Sequence, residues 1–245
     1  MHALKLDVLA FGAHPDDVEL SCSGLLLLER AAGRTTGIID LTCGELGSRG
    51  TEETRNKEAA TAAAILDVSV RENLGLPDGF FQNDKDSQLA VIKMIRKYRP
   101  EVILCNAPED RHPDHGRGAA LVKEAAFLSG LSKILTEDNG QPQESWRPAY
   151  VFHYIQDRFL DPDFVIDITS VFDKKMKSVM AYESQFYKEG FEGPVTYIST
   201  PEFMHNHVGR LRQFGRMIGT EYGEGFISEK MPGFYDLGAF VKNKT

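Results

Sequence analysis

The chain has 245 residues, with 42% hydrophobic and 26% charged side chains and a formal net charge of −8. That length suffices for one large α/β domain with a buried core or for two small ones, and the composition is ordinary for a globular protein. The acidic balance argues against general affinity for nucleic acid or anionic membrane, since counterion release needs clustered Lys and Arg. No apolar run approaches membrane-spanning length.

Leu4 to Phe11 reads as a strand. It leads straight into AHPDD at 13–17. No basic segment precedes the apolar run and acidic residues follow it directly, so no secretion signal is expected. Val18 to Ala32 reads as a helix ended by Gly33, and Thr36 to Thr42 as a second strand. Thr51 to Leu66 is Ala- and Glu-rich and helical. Val68 to Leu74 reads as a strand, Asp86 to Tyr98 as a helix stopping before Pro100, and Glu101 to Asn106 as a fourth strand. RHPDHG at 111–116 comes next, then a helix over Gly118 to Ser129. This alternation predicts an α/β fold, a Rossmann-like, mostly parallel sheet flanked by helices.

The second half is less regular. Residues 136–148 form a polar connection. Tyr150 to Ile155 and Phe164 to Ile168 read as strands. Ser170 to Ser184 reads as a helix with Ser170 as its N-cap, and Pro201 to Ile218 as another with Pro in its first turn. With no repeat, low-complexity tract or linker, a single domain over 1–245 is expected. Cys22, Cys43 and Cys105 are few, odd in number and set in or beside apolar segments, as expected of reduced buried thiols in a cytoplasmic protein.

Ligands of such sheets bind beyond the carboxyl ends of the strands, and both histidine clusters fall there. If a helix starts at Pro15, His14 and Asp17 share one side of its first turn, while Asp16 points elsewhere. An imidazole and a carboxylate converging in this way suit a borderline metal such as Zn²⁺. His112 or His115 would complete a set of two His and one carboxylate, leaving a position open for water. A nearby carboxylate would then take that water's proton. An isolated HPDD is also what a capped helix start looks like; two HPD clusters at one predicted edge are harder to explain so. His2, His153, His205 and His207 fall outside the clusters and carry no metal role in this reading.

Two further segments reach the same edge. GELGSRGTEETR at 44–55 is pliable and carries Arg49 and Arg55, suited to substrate hydroxyls or an anion, or to a solvated Glu–Arg pair. LGLPDGFF at 74–81 carries Asp78, either a ligand for sugar hydroxyls or the close of a turn.

Together, AHPDD at 13–17, SRGTEETR at 48–55, LGLPDG at 74–79 and HPDHG at 112–116 resemble the LmbE-like, or PIG-L, family of zinc-dependent N-deacetylases. The resemblance extends to ESQF at 183–186 and lies nearest to the bacillithiol-biosynthesis branch. It implies His14, Asp17 and His115 as ligands of Zn²⁺, with Fe²⁺ as the other suitable ion. It implies Asp16 as general base, and His112, oriented by Asp114, as support for the tetrahedral intermediate. It implies Arg55 as a sugar contact and a homo-oligomer, with hexamers known in the family. Tyr197 and His205 are offered as residues closing over the substrate. The implied substrate is N-acetylglucosaminyl malate; other N-acetylglucosamine conjugates or chitooligosaccharides are alternatives.

Two other classes compete. A phosphoesterase would commonly use two metals and need more ligands than one compact set. A non-catalytic sugar- or nucleotide-binding module has no use for a free carboxylate beside a metal, and no GxGxxG follows the first strand.

Overall fold

In a computed structural model, residues 4–187, 189–190, 193–234 and 236–237 are described. The elements run β1 (Val8–Gly12), α1 (Asp17–Ser21), α2 (Ser23–Ala31), β2 (Thr36–Thr42), α3 (Glu52–Leu66), β3 (Val70–Leu76), α4 (Lys85–Tyr98), β4 (Val102–Cys105) and α5 (Pro113–Leu128). A short hairpin follows, β5 (Glu137–Asp138) and β6 (Gln141–Pro142). The chain continues through β7 (Tyr150–Tyr154), β8 (Phe164–Asp167), α6 (Phe172–Met180), α7 (Pro201–Ile218) and β9 (Gly223–Ser228).

Among the described residues the main sheet has seven strands in the order β3-β2-β1-β4-β7-β9-β8. The first five in that order are parallel; β9 runs antiparallel between β7 and β8. β1 and β2 are buried along their whole length, as expected for central parallel strands covered on both faces. One apolar cluster packs α4 and α5 on one face, and a second packs α2 on the other. No helix among the described residues is long and apolar enough to cross a membrane.

The predicted parallel sheet is present, with β4 beside β1. Several boundaries differ. α5 starts at Pro113 rather than Gly118, because His112 caps it and Pro113 takes its first position. The helix expected over Val18 to Ala32 is broken at Cys22, whose φ of −143° ends α1. The first-turn amides of α2, which have no partner within the helix, are met by Glu224 of β9, which accepts from Gly24 and Leu25 N–H at 2.8 Å each. Lys175 of α6 lies 2.9 Å from the same carboxylate and donates to the Glu19 and Leu20 carbonyls. Ser170 is no N-cap: Thr169–Val171 form a 3₁₀ turn before α6. β9 was not anticipated; its glycines and Glu224 hide the strand pattern in the sequence. Cys22 and Cys105 are buried as expected, whereas Cys43 is only half-buried.

Candidate active site

Because β1 and β4 are hydrogen-bonded neighbours, the segments leaving them emerge side by side. His14, Asp17 and His115 converge there. The His14 backbone N–H donates to Asp17 Oδ2 at 3.0 Å, and His14 Nδ1 lies 3.7 Å from that oxygen. His115 Nε2 lies 3.1 Å from Asp17 Oδ1. Asn106 Nδ2 and Gln156 Nε2 donate to the same carboxylate at 3.0 and 3.1 Å. Burial opposes its charge, but His115 and His14 outweigh that and hold Asp17 well below the usual carboxylate range.

Each of the two histidines has its other ring nitrogen tied to a carboxylate. His14 Nε2 lies 3.1 Å from Asp78 Oδ1 and 3.3 Å from Asp114 Oδ2, and His115 Nδ1 bonds Asp110. Metal-binding histidines almost always hold the second nitrogen so, because it fixes tautomer and ring plane. His14 Nδ1 and His115 Nε2 are then the atoms left for a cation, and both face Asp17. Burial works against a charge on His14, yet Asp114 and Asp78 carry its pKa to about 10; a bound cation would take that proton's place. Donor atoms of His14, His112 and His115 also lie within 4.8 Å of one another, as do those of His14, Asp78 and Asp114. The latter group would need the nitrogen that both carboxylates already bind. Two imidazoles and a carboxylate suit a divalent transition metal.

Asp16 stands apart from this set. Its backbone sits at φ +124°, ψ −24°, a region L-residues avoid. Its carboxylate lies 3.2 Å from Arg55 Nη2, and Arg55 also donates to the Pro15 and Gly44 carbonyls. Gly44 is at φ +66°, and a Cβ there would fall 1.9 Å from Arg55 Nη1, so the GELG turn admits this arginine only as glycine. Burial pushes the Asp16 carboxyl up to about 7, and Arg55 offsets only part of that. A carboxylate titrating near neutrality is matched to accepting and returning a proton.

The other expected residues divide. Asp78 lines the cavity and anchors His14. Asp114 was expected to orient His112, but its carboxylate reaches His14, the Gly79 amide and Arg117. The reason is local: residue 114 lies in the first turn of α5, so its backbone N–H, not its carboxylate, meets His112 Nδ1, at 3.3 Å. Arg55 reaches the cavity with its guanidinium engaged by Asp16. Arg49 is buried and is not among the residues lining the cavity. His205 is exposed on the outer side of α7, and Tyr197 lies at the rim with its hydroxyl 3.2 Å from Asp157. Asp110, Asn106, Gln156 and His207 were missed. Asp110 alone carried a signal, five positions before His115.

These groups open on a cavity of about 360 Å³. Its lining brings together His14, Asp16, Asp17, His112 and His115 with a stripe of α7, Phe203, His207, Arg210, Leu211 and Phe214.

The profile of the PIG-L family, described as GlcNAc-PI de-N-acetylase, matches residues 9–126, which carry both HPD segments. A solved structure, a conserved protein from Thermus thermophilus, is 36% identical, with 94% of this chain and 97% of that one covered and a TM-score of 0.83. The chain belongs to the PIG-L family. It is 27% identical to a diacetylchitobiose deacetylase of Thermococcus kodakarensis, over 89% of this chain and 81% of that protein. It is 28% identical to a probable N-acetyl-alpha-D-glucosaminyl L-malate deacetylase 2 of Bacillus subtilis, over 74% and 84%. A 4-oxalmesaconate hydratase of Pseudomonas putida is 26% identical over 76% of each chain. As a PIG-L family member the protein is a metal-dependent N-deacetylase.

Proposed function

We propose that the protein removes the N-acetyl group of N-acetylglucosamine conjugates with zinc, and that its substrate is N-acetylglucosaminyl malate, as in bacillithiol formation. The observation that carries this reading is the convergence of His14, Asp17 and His115 with Asp16 alongside but outside the set. Zinc held by those three residues would supply Lewis acidity to the acetyl carbonyl and to the attacking water. Asp16 accepts the water's proton and returns it to the leaving amine. His112 is kept neutral, its pKa lowered by burial and by the two neighbouring imidazoles. Its Nδ1 accepts the Asp114 amide, so Nε2 carries the hydrogen and donates toward the oxyanion.

The rim supports an acidic aglycone. Arg111 Nε and Arg210 Nη2 share the single carboxylate of Asp157, at 3.1 and 3.3 Å. Asp110 also acts on Arg210, so Arg111, exposed at the cavity mouth, is the guanidinium suited to a carboxylate on the substrate.

The test is a panel with acetate detection: N-acetylglucosaminyl malate, diacetylchitobiose and free N-acetylglucosamine, with 4-oxalmesaconate hydration run alongside. The malate conjugate is expected to give the highest kcat/KM. A higher value for diacetylchitobiose would overturn the aglycone, and hydration without acetate release would overturn the amide chemistry.

A further inference from the structure

The α7 wall of the cavity contains a polar group with no use in the chemistry above. His207 is 4% exposed, and its Nε2 is buried with no hydrogen-bond partner. Its ring lies parallel to that of Phe203, with centroids 6.4 Å apart and 11° between planes. The same cavity is lined by Ser21 of α1, one helical turn beyond Asp17 and so on the same side of that helix. Ser21 is 7% exposed, and no protein group among the described residues engages its hydroxyl. Leaving a buried polar atom unmade is costly, and such atoms call for an explanation.

The surroundings select the ligand class. Glu224 also lines this end, but Lys175 at 2.9 Å neutralises it. Arg210 is paired with Asp157. Burial, Lys175 and Arg210 all press His207 toward its neutral form. A neutral imidazole offers one donor and one acceptor, and a serine hydroxyl offers both. That combination, between Leu20 and Leu211, matches ring hydroxyls and offers no counter-charge to an anion.

We propose that His207 and Ser21 form a subsite, one turn of α1 inward from the metal ligand Asp17, that binds hydroxyl groups of the pyranose ring. The subsite rests on the amino-sugar reading above and deepens it: the sugar lies inward against α7 and the aglycone lies outward at Arg111. His207 is a specificity residue and takes no part in moving protons.

The experiment compares wild type, His207→Phe and Ser21→Ala on an N-acetylglucosaminide and on its 3-, 4- and 6-deoxy analogues. Wild type is expected to disfavour one analogue by about 10–100-fold in kcat/KM. His207→Phe should lose a similar factor on the parent, mostly in KM, and should no longer distinguish that analogue. Bound metal and thermal midpoint should be retained, because the phenyl ring fills the site without an unpaired nitrogen. Ser21→Ala should show a smaller loss confined to one hydroxyl. Wild-type kcat/KM in His207→Phe, or an equal loss on every analogue, overturns the subsite. Should wild type deacetylate none of these sugars, calorimetric binding of methyl β-D-glucosaminide separates the two ideas. Binding weakened about tenfold or more by His207→Phe keeps the subsite while the reaction is reassigned. Absent or unaffected binding overturns it.

Discussion

Arg55 Nη2 lies 3.2 Å from the Asp16 carboxylate, although the two residues are 39 positions apart. The contact joins the α3 start to the strand-end turn and positions the carboxylate that we assign as base. Arg55→Ala is expected to lower kcat by about 100-fold, the scale of a lost general base, with metal content unchanged. Arg55→Lys should recover part of this, since a point charge replaces the fork without its geometry. Steady-state kinetics with elemental analysis checks it; loss of metal in Arg55→Ala would mean that the arginine supports the ligands rather than the base.

Asp16 pays for its placement in backbone strain, at φ +124°. Glycine reaches that region without a Cβ clash, whereas alanine does not. Asp16→Gly should therefore be more stable than Asp16→Ala by about 1 kcal/mol, strain relief less the added chain entropy of glycine. Both variants lose the carboxylate that Arg55 faces, so that loss cancels in the comparison. Urea midpoints decide it, and a glycine variant equal to or weaker than alanine would show that the turn is relaxed.

The carboxylates behind the histidines have their own signature. Asp114 has no exposure and holds His14 Nε2, while Asp110 holds His115 Nδ1. Asp114→Asn and Asp110→Asn should each weaken metal binding by about 10–100-fold while leaving the ligands in place. Competition with a chelator of known affinity measures this. Unchanged affinity in both would place the cation away from these two histidines.

Much of this site was legible because its parts sit at strand ends, where local sequence fixes position. Leu9↔Ile103 pairing in adjacent parallel strands is what brings residues 13–17 and 106–115 together; the apolar runs marked both strands, while their adjacency is fixed by the sheet order and not by either run. What was illegible depends on long-range contacts. Gln156 reaches Asp17 across 139 positions, and no local pattern marks it. The family resemblance, and no local pattern, paired Asp114 with His112; in the first turn of α5 its backbone N–H meets that histidine while its carboxylate turns to His14. β9 escaped because Gly223, Gly225 and the buried Glu224 break the apolar alternation, and Glu224 is there to cap α2 rather than to fill the core.

His153 lies 1% exposed in β7, with Nδ1–H donating to the Asn106 carbonyl at 2.8 Å and Nε2 2.9 Å from Glu229. Burial opposes a charge there, but Cys105, the Asn106 carbonyl and Glu229 outweigh it and raise the pKa from 6.5 to about 10. The folded state thus holds this proton more tightly than the unfolded chain does. Stability from the pair is fully present below about pH 6.5 and is lost as pH rises through about 10. His153→Gln keeps a donor and an acceptor but cannot carry the charge. The stability gap between wild type and His153→Gln should be widest near pH 6 and should narrow steadily toward pH 10, as read from urea unfolding at matched ionic strength. A gap that stays constant across that range would mean that His153 is neutral in the fold and that Glu229 meets a plain imidazole N–H.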